Sequence, residues 1–291
     1  MSIDGPRLMV SGTGGHLGRR VVELLLEKGQ DVVAGSRDIG RIADLGARGA
    51  ELRGVDFADP ASLPEAFAGI DRLLVISTDV LDENRVRFHA NAVAAAVAAG
   101  VGRIVYTSMA NPEPGSPIPF APDHYRTEEA IRASGMSHTI LRNTWYTENL
   151  VQSLPQVLAS GRWVTAAGEG RVAHVTREDC AQAAAGALAA ADAKGVLTVT
   201  GPAALTTAEL AAIASDLTGR PVAVVNVSDA EYAAGLRAAQ LPEPVVQLIV
   251  AFDANTRAGR IGEVTDAVEA LSGRKPQPVR DFLAANRAAL G

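Results

Sequence analysis

The run Ser11-Gly12-Thr13-Gly14-Gly15-His16-Leu17-Gly18 constrains the fold more than any other segment. It follows the short apolar stretch Leu8–Ser11 and opens an amphipathic stretch, Leu17–Lys28, that stops at Gly29. A strand, a GxxGxxG turn and a helix in that order form the phosphate-binding half of a dinucleotide site. Gly12 permits the tight turn, Gly15 lets backbone amides approach a pyrophosphate, and Gly18 lets the helix lie close on the strand. The first-turn amides and the helix dipole attract the phosphates, so Thr13, His16 and Leu17 join the three glycines as cofactor-site candidates.

The same alternation continues. Val32–Gly35, Leu52–Val55, Leu73–Ile76, Ile104–Thr107 and Thr139–Arg142 read as strands. Between them, Arg41–Arg48, Ala61–Ala68, Arg85–Ala99 and His124–Ser134 read as helices, ending near Gly49, Gly69, Gly100 and Gly135. Repeated βα units imply a parallel sheet with right-handed crossovers, an α/β Rossmann-type doubly wound fold. The composition agrees, because aromatics are only 4% while 47% of residues are hydrophobic, which suits a Val, Leu, Ile and Ala core under helices.

Residues 1–145 are therefore expected to form a dinucleotide-binding domain. Beyond Tyr146 the alternation breaks down: Arg162–Ala167, Val196–Val199 and Val222–Val225 read as strands among the helices Glu178–Ala190, Thr207–Thr218 and Asp229–Ala239. Residues 146–291 are expected to form mainly a smaller, discontinuous substrate lobe, with some segments returning to the first domain and Gln277–Ala289 docking as a closing helix. The loop Asn111–Pro122 carries five prolines and is expected to border a cleft between the lobes.

Several function classes drop out. The net charge of −6 comes from scattered residues, so nucleic acid is not an expected partner. Met1–Arg7 is polar and too short for a signal peptide, and no apolar run reaches membrane-spanning length, so a cytoplasmic location without membrane attachment is expected. The single Cys180 forms no thiolate cluster and reads as a buried core thiol. His16, His89, His124, His138 and His174 show no ligand spacing, and no metal is expected.

Strand ends supply the remaining cofactor candidates, because ligands of open α/β sheets lie outside the carboxyl ends of the strands. The second strand ends in Ser36-Arg37, where an NAD enzyme usually carries an acid. Arg37 can pair with a 2′-phosphate, which favours NADP(H), while Asp38 beside it leaves NAD(H) open. Asp56 and Phe57 are expected to border the adenine, Ser77 and Thr78 the linking phosphates and ribose, and Thr107 and Ser108 the nicotinamide end.

The glycine turn, Arg37, Asp56-Phe57, Ile104–Ser108, Leu141–Asn149 (LRNTWYTEN), Ala166–Gly170 and Thr176–Asp179 occur in an order that resembles the NmrA-like atypical short-chain dehydrogenases. Within that group the chain is similar to bacterial NAD(P)H:quinone oxidoreductases over nearly its whole length. The resemblance implies an NADPH cofactor, a monomer or homodimer, and hydride transfer to a quinone or quinone-like aromatic ring in the interlobe cleft. Two other functions fit it: a tailoring oxidoreductase acting on an aromatic polyketide, and a redox sensor that binds dinucleotide without turnover.

Conventional short-chain dehydrogenases use a Tyr-x-x-x-Lys pair, and similar quinone reductases carry a lysine where this chain has Glu129, four residues after Tyr125. Catalysis then rests chiefly on positioning. Asn143 and Tyr146 are expected to orient ring and substrate, and His124 or Tyr125 to donate the proton. Phe120, Trp145, Tyr146 and Phe252 are the candidate flat walls for a ring substrate.

Overall fold

The computed structural model describes residues 5–80 and 82–290; the first four residues of the polar start lie outside the described residues. In the first half, six strands alternate with five helices: β1 (Leu8–Val10), α1 (His16–Glu27), β2 (Val32–Ser36), α2 (Ala43–Ala47), β3 (Glu51–Gly54), α3 (Leu63–Ala66), β4 (Arg72–Val75), α4 (Asn84–Ala98), β5 (Arg103–Met109), α5 (Ala121–Ala133) and β6 (Ser137–Asn143). The second half runs α6 (Glu148–Ser160), β7 (Arg162–Thr165), β8 (Arg171–Val172), α7 (Arg177–Ala189), β9 (Gly195–Val199), β10 (Leu205–Thr206), α8 (Thr207–Thr218), β11 (Ala223–Asn226), α9 (Asp229–Ala238), α10 (Glu243–Arg257), α11 (Ala267–Ser272) and α12 (Val279–Ala285).

Seven parallel strands pair in the order β3-β2-β1-β4-β5-β6-β9. The order reverses between β1 and β4, and the crevice at that point is where doubly wound folds bind their ligands. Strand periodicity divides the core in two. Val10, Ala34, Leu74, Val105 and Leu141 face Leu25 of α1 and Ala184 and Leu188 of α7. Their neighbours Met9, Val33, Leu73, Ile104 and Ile140 face Phe67, Ala92, Ala96 and Ile131 on the other side. The sheet is covered on both faces, which explains why its strands read as unbroken apolar runs.

The sequence reading needs correction in places. Val196–Val199, expected among the irregular second-half strands, lies within β9 of the main sheet beside β6. Two long helices, α6 and α10, were not expected. Pro155 interrupts the polar pattern of α6, although Leu150, Leu154 and Leu158 still bury one stripe. The run Val245-Val246-Gln247-Leu248-Ile249-Val250 in α10 is apolar but for Gln247 and gives no helical period. Arg41–Arg48 divides into a 3₁₀ turn at Ile39–Ile42 and the short α2. Gln277–Ala289 divides into α12 and a 3₁₀ turn at Arg287–Leu290. Helix α5 starts at Ala121 rather than His124, with Pro122 in its first turn, where its missing N–H costs nothing. Among the described residues, no helix is long and apolar enough to cross a membrane.

Candidate active site

Ser11 fixes the crossing between β1 and β4: its hydroxyl accepts the Ile76 amide at 3.0 Å, and its own amide donates to the Leu74 carbonyl at 2.9 Å. The chain then turns at Gly12 with φ +68°, the left-handed region that favours glycine. Thr13 points inward, and its amide and hydroxyl both donate to the Gly35 carbonyl, at 3.1 and 2.9 Å. Thr13 thus ties the turn to β2 rather than lining the cleft. A Cβ on Gly18 would meet the Gly12 carbonyl oxygen at 2.6 Å, so α1 rests on the turn through a contact that only glycine allows. Leu17 packs against the core cluster beneath α1.

Gly15 caps α1 in an extended conformation with no side-chain hydrogen bond, and the first turn holds no acidic residue. Its amides are free for an anion, with the positive end of the helix dipole behind them. This is the geometry a dinucleotide phosphate requires, and the residues present fit one.

A cleft of about 860 Å³ opens at this turn. Gly12, Gly15 and His16 form its floor; Arg37, Asp56 and Phe57 stand at the β2 and β3 ends, and Ser77 and Thr78 at the β4 end. Ser36, Arg41, Val80 and Phe88 also line it. Phe88 had no signal in the sequence, because an aromatic residue inside α4 reads as core. Asp38 is occupied by its own turn, where it accepts the Gly40 amide at 2.9 Å. Arg37 and Arg41 are exposed. Thr107 and Ser108 do not line the cleft. The Thr107 hydroxyl accepts the Ser77 amide at 2.9 Å, and the Ser108 hydroxyl donates to Glu128 at 2.7 Å.

Behind the β4 end lies a buried polar network joining α4, β5 and α5. His89 Nε2 accepts the Thr78 amide at 3.0 Å, leaving Nδ1 to donate to Thr127 at 2.9 Å. His124 Nε2 accepts from Arg85 at 2.9 Å, because a guanidinium can only donate, so Nδ1 carries the hydrogen and donates to the Tyr106 hydroxyl at 2.9 Å. Burial and the neighbouring Arg85 push both imidazoles down, His89 to about 3 and His124 well below its ordinary value. His124 is therefore neutral, with both nitrogens engaged in the network.

Tyr125 is half-buried and enters neither this network nor the aromatic group described below. Glu129 points to solvent and pairs with Arg132 at 2.6 Å. Its neighbour Glu128 is fully buried and accepts from Arg142 at 2.7 Å and Arg132 at 2.8 Å. The exceptional carboxylate of α5 is thus Glu128, which spacing from Tyr125 did not single out.

Beyond the carboxyl ends of β5 and β6, three separate segments bring Phe120, Trp145 and Phe252 together. The Trp145 and Phe252 rings lie 4.7 Å apart, and those of Phe120 and Phe252 6.4 Å apart. Met109, the last residue of β5, packs with them. Tyr146 stands apart, with the Arg177 guanidinium 4.9 Å over its ring. Its hydroxyl accepts from the Asn143 amide at 3.4 Å, and burial raises its pKa so that the phenol stays protonated. Adjacent strands lie ~4.8 Å apart, so from β4 to β6 the strand ends run from the cleft to the aromatic group in short steps.

A doubly wound sheet with an uncapped glycine-rich helix start at its switch point defines a dinucleotide-binding protein. The chain belongs to the NAD(P)H-binding family, whose model matches residues 12–191, and an NmrA-like family domain-containing oxidoreductase of Aspergillus flavus is among its relatives, 26% identical over 94% of this chain and 93% of its own length. Quinone oxidoreductase 2 of Escherichia coli is 34% identical over 91% of this chain and 93% of its own length. The E. coli NADPH-dependent quinone oxidoreductase solved with NADPH superimposes with a TM-score of 0.89, at 33% identity over 96% of this chain and 99% of that one. Triphenylmethane reductase of Citrobacter sp., solved with NADP(H), has a TM-score of 0.86 at 35% identity over 97% of this chain and 99% of its own. The protein is an NAD(P)H-dependent oxidoreductase.

Proposed function

We propose that the protein reduces quinones or quinone-like aromatic rings with NADPH, the ring lying between the dinucleotide cleft and Phe120, Trp145 and Phe252. The observation that carries this reading is the convergence of those three rings, from the proline-rich loop, the end of β6 and α10, one strand beyond the cleft. Flat apolar walls stack on a planar ring and leave its edge oxygens free. In this reading residues 1–145 hold the dinucleotide and also contribute Phe120 and Trp145 to the substrate side, which α10 completes with Phe252.

The bound dinucleotide supplies the hydride, and a quinone takes it with one proton to become a hydroquinone. The α1 amides bind the phosphates and Arg37 the 2′-phosphate. Asn143 and Tyr146 orient the ring end, and Tyr146 remains a hydrogen-bond donor across the neutral range because burial keeps its phenol protonated. His124 serves by position, holding Arg85 and Tyr106, and the proton comes from water at the cleft. The quinone names of the relatives support the substrate class.

The test is loss of NADPH absorbance with a panel of benzo-, naphtho- and anthraquinones, run beside NADH. Turnover that is faster with NADPH is expected. Tight dinucleotide binding with no oxidation by any member of the panel would overturn the quinone reading.

A further inference from the structure

We propose that Arg85 is a specificity-determining cation that selects ring substrates bearing, or acquiring, negative charge beside the aromatic group. The inference deepens the quinone reading and rests on it for the position of the ring.

Arg85, on α4, is 5% exposed. Other arginines withdrawn from solvent are placed differently. Arg142 is paired with Glu128 and Glu113, and Arg103 reaches the carbonyls at the negative C-terminal end of α7. Arg85 has neither arrangement. One guanidinium nitrogen donates to neutral His124 at 2.9 Å and another reaches the Val80 carbonyl at 3.3 Å. Among the described residues its Nε, like that of Arg103, is buried without a partner. Asp79, exposed, and Asp123, half-buried, act on it only through space. A buried charge held by neutral groups is costly and favours an anion nearby.

Its position is between the two halves of the proposed site. Val80, to which it donates, lines the dinucleotide cleft, and its guanidinium carbon lies 5.7 Å from the centre of the Phe120 ring. Hydride delivery to a neutral quinone leaves one oxygen as a hydroquinone anion until a proton arrives, so charge develops where this cation already stands. An acidic hydroxyquinone brings the same charge in its ground state. The cation acts through low-dielectric surroundings and needs no direct contact.

The test uses binding, not turnover, so its failure is separable from failure of the quinone assay. NADP⁺-loaded protein is titrated with 2-hydroxy-1,4-naphthoquinone, an acidic ring whose anion is coloured, and with neutral 1,4-naphthoquinone. An apolar site without a cation raises the pKa of a bound acid. Arg85 predicts the reverse: the bound hydroxynaphthoquinone should titrate about one unit lower than free, equivalent to ~10-fold tighter binding of its anion. Arg85→Met should turn that lowering into a rise and weaken the anion by at least ~10-fold, with the neutral ring and NADP⁺ unaffected, and Arg85→Lys should restore the lowering. A bound pKa that is unchanged or raised in the wild-type protein overturns the proposal, and this measurement stands even if Arg85→Met fails to fold. Equal loss of both rings in a folded Arg85→Met also overturns it, since that marks a packing role. Failure of either ring to bind wild-type protein overturns it together with the aromatic site.

Discussion

Arg37 stands exposed at the end of β2, on the lip of the cleft, while its neighbour Asp38 is committed to the Gly40 amide. The cation is free to meet a ligand and the carboxylate is not, so discrimination at this lip favours a 2′-phosphate. A charge-assisted hydrogen bond contributes ~1.5–3 kcal/mol. Arg37→Ala should therefore weaken NADPH roughly ten- to a hundredfold, leave NADH within about twofold, and leave thermal stability unchanged. Titrations of both dinucleotides check this, and equal losses would remove the 2′-phosphate assignment. The glycine turn was legible in the sequence because its constraint is local: a left-handed φ at Gly12 and a contact at Gly18 that admits no Cβ. His124 and Glu128 were not. Their roles depend on Arg85, Tyr106, Ser108 and Arg142, partners brought close only by the sheet, and nothing in the spacing of α5 distinguishes the buried Glu128 from the exposed Glu129.

Elements, rather than single residues, carry the buried histidines. His89 on α4 joins the loop after β4 to α5 through Thr78 and Thr127. His124 joins α5 to β5, and His174 lies fully buried before α7. Burial lowers their folded pKa values from 6.5, to about 3 for His89 and about 4 for His174. The folded state cannot take protons that the unfolded chain accepts below pH 6.5. The stabilisation from neutral imidazoles is therefore fully present above that pH and is lost as the pH falls towards the folded values, by up to ~1.4 kcal/mol per pH unit for each histidine. Urea unfolding between neutral and mildly acidic pH should show a midpoint that falls on acidification, and His89→Gln should shallow the slope. A slope unchanged in a folded variant would mean that His89 does not contribute. At this scale the strands and helices of the first half were legible within a few residues, since period and glycine stops agree. Helix α10 was hidden because its central run Val245–Val250 shows no helical period, and the place of β9 in the main sheet because a five-residue strand carries no mark of the sheet it joins.

The whole molecule is bound together by segments from its second half. Helix α7 packs on α1 and closes one face of the sheet, with Ala184 and Leu188 meeting Val21 and Leu25. Arg72 and Arg103, at the starts of β4 and β5, donate to the last carbonyls of α7, including Ala190 at 2.9 Å and Ala187 at 2.8 Å. A Cβ on Gly186 would lie 2.0 Å from the Leu271 carbonyl, so α7 and α11 meet backbone to backbone. One face of the sheet that carries the dinucleotide cleft is consequently covered by a second-half helix, so the two halves are expected to unfold together. The two tryptophans, Trp145 and Trp163, lie past the last first-half strand, whereas the glycine turn is at the start. NADPH at a hundredfold excess over its Kd adds ~2.7 kcal/mol, which for a chain of this length raises Tm by about 5 °C, taking ~2 cal/mol/K of unfolding entropy per residue. Tryptophan fluorescence should report one transition, displaced by that amount although neither indole contacts α1. Two transitions, with the tryptophan signal unmoved by NADPH, would instead mean that the second half folds as a separate unit and that the grip of Arg72 and Arg103 on α7 does not couple them.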